Sequence, residues 1–197
     1  MRRIMMFNRV SADGYFTKPD GNLDWFVPEP EIDEQGGESA SQVDTYLFGR
    51  KTYEVMSQFW PHALDPGTKD PHGGGEISPQ MRAMAVSLNE STKLVFSRTL
   101  KEATWKNTRI IRELDPREIE SMKQQSGRGM IILGSGEIVT QLTKHGLIDD
   151  YQIVVVPIFL GDGKPLLRGL SKNAKLKLVE AKPHQNGSVS LSYSPAK

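Results

Sequence analysis

The stretch Ile131 to Leu142, IILGSGEIVTQL, constrains the fold more than any other segment of this chain. An apolar run ends at Gly134, Gly136 follows at once, and an amphipathic run through Ile138, Val139 and Leu142 begins. That order reads as a buried strand that stops in a tight glycine turn and re-emerges as a helix. Glycine lets the backbone turn sharply, or approach a ligand closely, with no Cβ in the way. The new helix offers unpaired N–H groups and the positive end of its dipole, which suits a phosphate. The full dinucleotide fingerprint would need a third glycine where Val139 stands. A glycine turn that only connects strand to helix fits the same letters equally well.

Composition limits what can surround that turn. With 197 residues the chain is long enough for a sizeable core, and it reads as a single domain over residues 1–197. Lys and Arg number 25 against 24 Asp and Glu, so no basic excess points to nucleic acid. The longest apolar run, Ile153 to Leu160 interrupted by Pro157, is too short for a bilayer, and no membrane association is expected. Ile4 to Phe7 is too short for the core of a secretion signal. The absence of cysteine excludes disulfides, thiolate metal sites and thiol nucleophiles, and fits a cytoplasmic location. His62, His72, His145 and His184 show no ligand spacing, so no metal site is expected.

Strand and helix patterns alternate along most of the chain. Arg2 to Val10 reads as a strand broken by the turn Ser11-Ala12-Asp13-Gly14-Tyr15. The acidic segment from Pro28 to Glu38 reads as a surface loop leading into a short helix. Tyr46-Leu47-Phe48 is a strand ended by Gly49, and Arg50 to Phe59 has helical spacing. Ser78-Pro79 starts one helix and Asp115-Pro116-Arg117-Glu118 another, which should end near Gly127. Strands are expected over Lys93 to Ser97, Thr108 to Arg112, Ile131 to Leu133 and Asp150 to Val156. Lys175 to Lys182 and Ser188 to Tyr193 alternate around Asn186-Gly187, a strong hairpin signal. The short, wholly apolar strands suit a mostly parallel eight-stranded sheet with helices on both faces and a C-terminal antiparallel hairpin, an α/β fold.

Two more strand ends carry chemistry. Gly49-Arg50-Lys51-Thr52 puts two cations in the first turn of a helix, where each opposes the macrodipole by about 0.3–1 kcal/mol. The arrangement makes sense if an anion sits on that end, held by Arg50 and Lys51, by backbone N–H groups and by Thr52. Ser97-Arg98-Thr99 follows another strand, where α/β sheets bind ligands beyond the carboxyl ends of their strands.

Phe48-Gly49-Arg50-Lys51-Thr52-Tyr53, then Phe96-Ser97-Arg98-Thr99, then Gly134-Ser135-Gly136 resemble, in order and spacing, the cofactor-binding segments of the dihydrofolate reductase superfamily. Ser11-Ala12-Asp13-Gly14 and Pro157 to Leu166 look more like one branch of it. That branch holds the reductase domain of the bifunctional riboflavin-biosynthesis deaminase/reductase and its stand-alone bacterial relatives. The resemblance implies a dihydrofolate-reductase-like fold and an NADPH-dependent oxidoreductase acting on a small heterocyclic, pterin- or flavin-precursor-like substrate. It implies that Arg50, Ser97 and Arg98 meet the 2′-phosphate, while Gly49, Lys51, Thr52, Gly134, Ser135, Gly136 and Glu137 line the pyrophosphate. Asn8, Val10, Gly161, Asp162 and Gly163 would frame the nicotinamide and the substrate, while Trp25, read from its neighbouring turns alone, fits either a core residue or a stacking surface for the substrate. Asp13, with Ser11 beside it, is the candidate source of a proton. The stand-alone relatives also imply a homodimer.

Some letters depart from the pattern. The zinc ligands of a deaminase half have no counterpart here. Folate reduction would need an acid on the first helix, and Asp24 to Gln42 is too polar for one carboxylate to stand out. Ser135 replaces the second glycine of the turn, yet the superfamily's cis peptide is expected at Gly134–Ser135. Glu137 would repel a pyrophosphate unless its side chain points away. His72-Gly73-Gly74-Gly75 resembles a lipase oxyanion segment, but no G-x-S-x-G elbow accompanies it. A module that kept the nucleotide cradle and lost catalysis is the rival reading, separated by assaying NADPH oxidation.

Overall fold

The computed structural model of the protein describes residues 1–25, 29–71, 75–170 and 173–196. His72-Gly73-Gly74 of the lipase-like segment and Pro28 of the acidic segment therefore lie outside the described residues. The chain opens with β1 (Ile4–Ser11), β2 (Tyr15–Thr17), α1 (Pro30–Ser41), β3 (Val43–Gly49) and α2 (Arg50–Phe59). It continues with α3 (Pro79–Glu90), β4 (Thr92–Phe96), β5 (Thr108–Ile111), α4 (Pro116–Gln124), β6 (Gly129–Leu133) and α5 (Gly136–Lys144). It closes with β7 (Asp150–Val156), β8 (Lys164–Pro165), β9 (Leu176–Pro183) and β10 (Val189–Pro195).

Local chemistry accounts for most boundaries. Ser78 Oγ accepts from the Met81 N–H at 3.1 Å and Pro79 follows, so α3 starts where both signals coincide. Asp115 caps α4 through the Arg117 N–H at 2.8 Å, and that helix stops at Gln124, before the expected Gly127. In place of a short helix, α1 runs for 12 residues and buries Ile32 and Ala40. Among the described residues no helix is long and apolar enough to cross a membrane.

The main sheet has eight strands in the order β5-β4-β3-β6-β1-β7-β10-β9. All pairings are parallel except those of β10, which runs antiparallel to β7 and β9. The eight main strands are those expected from the sequence. A two-stranded antiparallel ladder of β2 with β8 is additional. Alternate residues point to opposite faces. Ile4, Met6, Leu47, Met130 and Ile132 join Ile119 of α4 and Ile138, Val139 and Leu142 of α5. Tyr46, Phe48, Val95 and Ile131 join Tyr53 of α2 and Leu88 of α3 on the other face. Each fully buried large apolar side chain contributes about 1.5–3 kcal/mol.

Lys93 is fully buried in this second layer. Its ammonium donates to Leu88 O at 2.6 Å and Ser91 O at 2.8 Å and sits 4.8 Å from the Trp105 ring centre. Burial, with the charge of Lys106, pushes its pKa down to about 8, while the two carbonyls and the ring favour the charged form. The lysine thus closes the end of α3, whose last carbonyls lack helical partners.

Candidate functional site

Parallel pairing places the carboxyl ends of β1, β3, β4 and β6 along one edge of the sheet. Gly49 stands opposite Phe96, and Phe7 opposite Leu133. Everything that follows these strands therefore gathers at one end: the turn after Ser11, the start of α2, the Ser97 loop and the start of α5.

Two helix amino ends converge there, and one serine bridges them. Ser135 Oγ accepts the Gly49 N–H at 2.6 Å and lies 2.9 Å from Thr52 Oγ1. Gly49 is the N-cap of α2 and Ser135 the N-cap of α5, and neither helix has a side-chain cap hydrogen bond. The first N–H groups of both helices, with the positive ends of both dipoles, thus point into one region. The Gly134–Ser135 peptide is trans, contrary to the cis bond expected from the resemblance. Two successive left-handed residues, Gly134 at φ 63° and Ser135 at φ 55°, make the bend instead. Space is as constrained as angle: a Cβ on Gly136 would meet Leu166 O at 2.7 Å and the Phe16 ring at 3.1 Å. The β2–β8 corner therefore props the start of α5. Sequence reading missed these props, because strands of three and two residues carry no pattern to detect.

Cations surround this end. Arg50 is exposed and lies 3.6 Å from Glu54, one turn on. Lys51 and Arg98 are exposed as well. Ser97 Oγ accepts from the N–H groups of Leu100 at 2.9 Å and Thr99 at 3.2 Å, which holds its loop beside β4. Glu137 is exposed and accepts from Gln141 at 3.4 Å, so its carboxylate runs along α5 toward the next turn.

Asp13 organises the second part of the site. Ser11 Oγ donates to Asp13 Oδ1 at 2.5 Å, and the Asp13 carboxylate accepts the N–H groups of Gly161 at 2.8 Å and Leu160 at 3.2 Å. The hydrogen bond from Ser11, then those from the loop amides, hold this carboxyl below its ordinary range. The loop is further shaped by Asp162, which accepts the Gly163 N–H at 2.7 Å. Asn8 is buried and its amide reaches Gly134 O at 3.5 Å, while Val10 and Trp25 are also buried. The structure thus joins Gly49, Thr52 and Ser135 directly, and Ser11, Asp13 and Gly161 directly.

Two concavities lie away from this end. One of about 320 Å³ sits at the amino end of the strands, where Arg2 pairs with Asp44 and the Arg128 N–H donates to Asp44 Oδ2 at 2.8 Å. Arg2 and Asp44 are paired there and the Arg128 guanidinium donates to Ser41 O at 3.0 Å, so these groups serve to close the sheet. The other, of about 200 Å³, lies between α1 and the hairpin.

A family model described as the RibD C-terminal domain matches residues 2–190. The uncharacterized protein YyaP of Bacillus subtilis (strain 168) is 27% identical over 196 residues, 98% of this chain and 94% of that protein. Among solved structures, a putative riboflavin biosynthesis protein from Shewanella sp. PV-4 superposes with TM-score 0.74 at 20% identity, covering 99% of each chain. Dihydrofolate reductase from Enterococcus faecalis, in complex with NADP(H) and RAB-propyl, superposes with TM-score 0.64 at 13% identity. That match covers 99% of this chain and 97% of the other. The fold is therefore dihydrofolate-reductase-like.

Proposed function

The chain belongs to the RibD C-terminal domain family, and on that premise we propose that it is a reductase passing hydride from NADPH to a small heterocyclic acceptor. The observation that carries this reading is the pair of uncapped helix ends joined by Ser135. A dinucleotide pyrophosphate is the anion whose charge and length suit two adjacent helix ends. Lys51 and Thr52 border that anion, and Arg50, Ser97 and Arg98 supply donors for a 2′-phosphate beside it. When bound, NADPH supplies the hydride, and the chain supplies orientation.

In this reading Ser11 and Asp13 are positioning groups. Asp13 accepts from both flanking parts of the site, and its carboxyl favours the ionised form, so it fixes the loop at Gly161 to Gly163 over the end of β1. That loop, with Asn8 and Val10, frames the acceptor.

The test is NADPH oxidation by the purified chain against a panel of pterins, flavin precursors and carbonyl compounds. Acceptor-dependent oxidation is the expected result. Tight NADPH binding with no oxidation by any acceptor would favour the nucleotide-binding module without catalysis. We also propose that the protein is a homodimer. The edge strand β9 is exposed along most of its length, with Leu178 and Val179 at 52% and 66% exposure, and natural proteins usually cover such edges. A monomer mass by light scattering at micromolar concentration would exclude it.

A further inference from the structure

His184 opens the C-terminal hairpin turn, its N–H donating to Ser188 O at 2.8 Å. Its imidazole is entirely shielded from solvent, yet the reductase reading gives it no part. The ring lies between two partners. Nδ1 is 3.1 Å from Glu31 Oε2 on α1, and Nε2 is 2.7 Å from Ser190 Oγ on β10. A carboxylate can only accept, so in the neutral imidazole the Glu31 contact places the ring proton on Nδ1 and leaves Nε2 to accept from the Ser190 hydroxyl. The Lys182 ammonium, 3.3 Å from Glu31, further favours the ionised carboxylate.

Ser190 is not sealed away. It lines the cleft of about 200 Å³ between α1 and the sheet, with Phe7 and Val154 as apolar walls. Lys182 stands directly across the β9–β10 ladder from Ser190 and lines the same cleft. A hydroxyl hydrogen-bonded to an imidazole that is itself oriented by a carboxylate is the arrangement that activates a serine. The adjacent cleft gives an acyl substrate a place to lie against that hydroxyl.

We propose that Ser190, His184 and Glu31 form a second, hydrolytic site in which Ser190 attacks esters of small acids. Ser190 Oγ bonds to the ester carbonyl carbon while His184 Nε2 takes the hydroxyl proton. The carbon–alkoxy bond breaks, and the alcohol leaves with the proton from His184. Water then adds to the acyl-serine by the same route, releasing the acid and restoring Ser190. Ser190 and His184 are the catalytic residues here, and Glu31 is a positioning residue.

The experiment treats the full chain, without cofactor, with an alkyl fluorophosphonate and maps the adduct by mass spectrometry. Attack by Ser190 Oγ on phosphorus releases fluoride and passes the hydroxyl proton to His184. The expected result is one adduct, on Ser190, lost in Ser190→Ala and slowed at least tenfold in Glu31→Gln. Glu31 is half exposed, so that variant keeps the fold even if His184→Gln does not. Hydrolysis of a p-nitrophenyl ester should fall in parallel. An intact Ser190 after prolonged exposure, or a labelling rate unmoved by Glu31→Gln, would overturn the proposal. Neither arm uses NADPH, so the outcome is independent of the reductase reading.

Discussion

At the amino end of the parallel strands, cations meet acids or carbonyls at close range. Arg3 forks onto Asp150 at 2.7 and 2.9 Å, and Arg2 pairs with Asp44 while also donating to Thr45 Oγ1 at 2.7 Å. Lys123, buried, pairs with Asp149 at 2.7 Å and donates to Leu147 O at 2.9 Å. At the carboxyl end, Arg50 has Glu54 at 3.6 Å, and neither Lys51 nor Arg98 forms an ion pair with a described residue. Two helices also begin there without side-chain caps. The same types of residue thus close one end of the sheet and, at the other, leave Lys51 and Arg98 without an ion pair to a described residue. Charge left over after internal pairing, rather than charge itself, distinguishes the end we propose for the ligand.

The largest effect expected from breaking this contrast is at the amino end. Lys123→Met leaves Asp149 without its ammonium, and removing one partner of a buried pair costs about 3–5 kcal/mol, less the relief from Asp149's partial exposure. Urea unfolding should show a loss of at least about 2 kcal/mol, with NADPH affinity unchanged. A loss of affinity without a loss of stability would reverse the roles assigned to the two ends.

At the carboxyl end, Ser135 is the joint to disturb. Ser135→Ala orphans the Gly49 N–H and should cost about 1–2 kcal/mol. Ser135→Gly loses the same bond but relieves a left-handed backbone worth about 1–2 kcal/mol, so its stability should lie near the parent's. Equal losses in the two variants would show that the turn carries no backbone strain. Arg50→Ala comes next, with a tenfold fall in the NADPH-over-NADH affinity ratio, about 1.4 kcal/mol. Its stability should stay within about 0.5 kcal/mol of the parent's. An unchanged ratio would remove Arg50 from the cofactor site.

The smallest expected effect is a local pH response at Asp13. Its folded pKa lies below the ordinary 3.8, so the clamp it forms is complete above that value and is lost as pH falls through the lower folded pKa. Hydrogen exchange at the Gly161 amide should stay protected down to the ordinary value and open only below it. Opening that begins well above 3.8 would mean that the carboxylate is not what holds the loop.

The eight main strands, and the motifs at their carboxyl ends, were legible because apolar runs, glycine stops and turn residues are local signals. Gly49, Ser97 and Gly134 each end or follow a strand as their letters suggest. What escaped depends on distance or on backbone detail. The β2–β8 ladder is too short for periodicity. Glu31 and His184 are 153 positions apart and meet only because α1 lies against the hairpin. The bend at Gly134–Ser135 was legible as a bend, but its means was not, since a cis bond and two left-handed residues redirect the chain alike.

The central claim, that the carboxyl end of the sheet holds the cofactor while the amino end only holds the fold, is tested most directly by following backbone amide resonances as NADPH is added. The account predicts saturable shifts at Gly49 to Thr52, Ser97 to Thr99 and Ser135 to Ile138, with Arg2, Asp44 and Arg128 unmoved. Shifts centred on Arg2, Asp44 and Arg128, or none at the two helix ends at saturating NADPH, would contradict it.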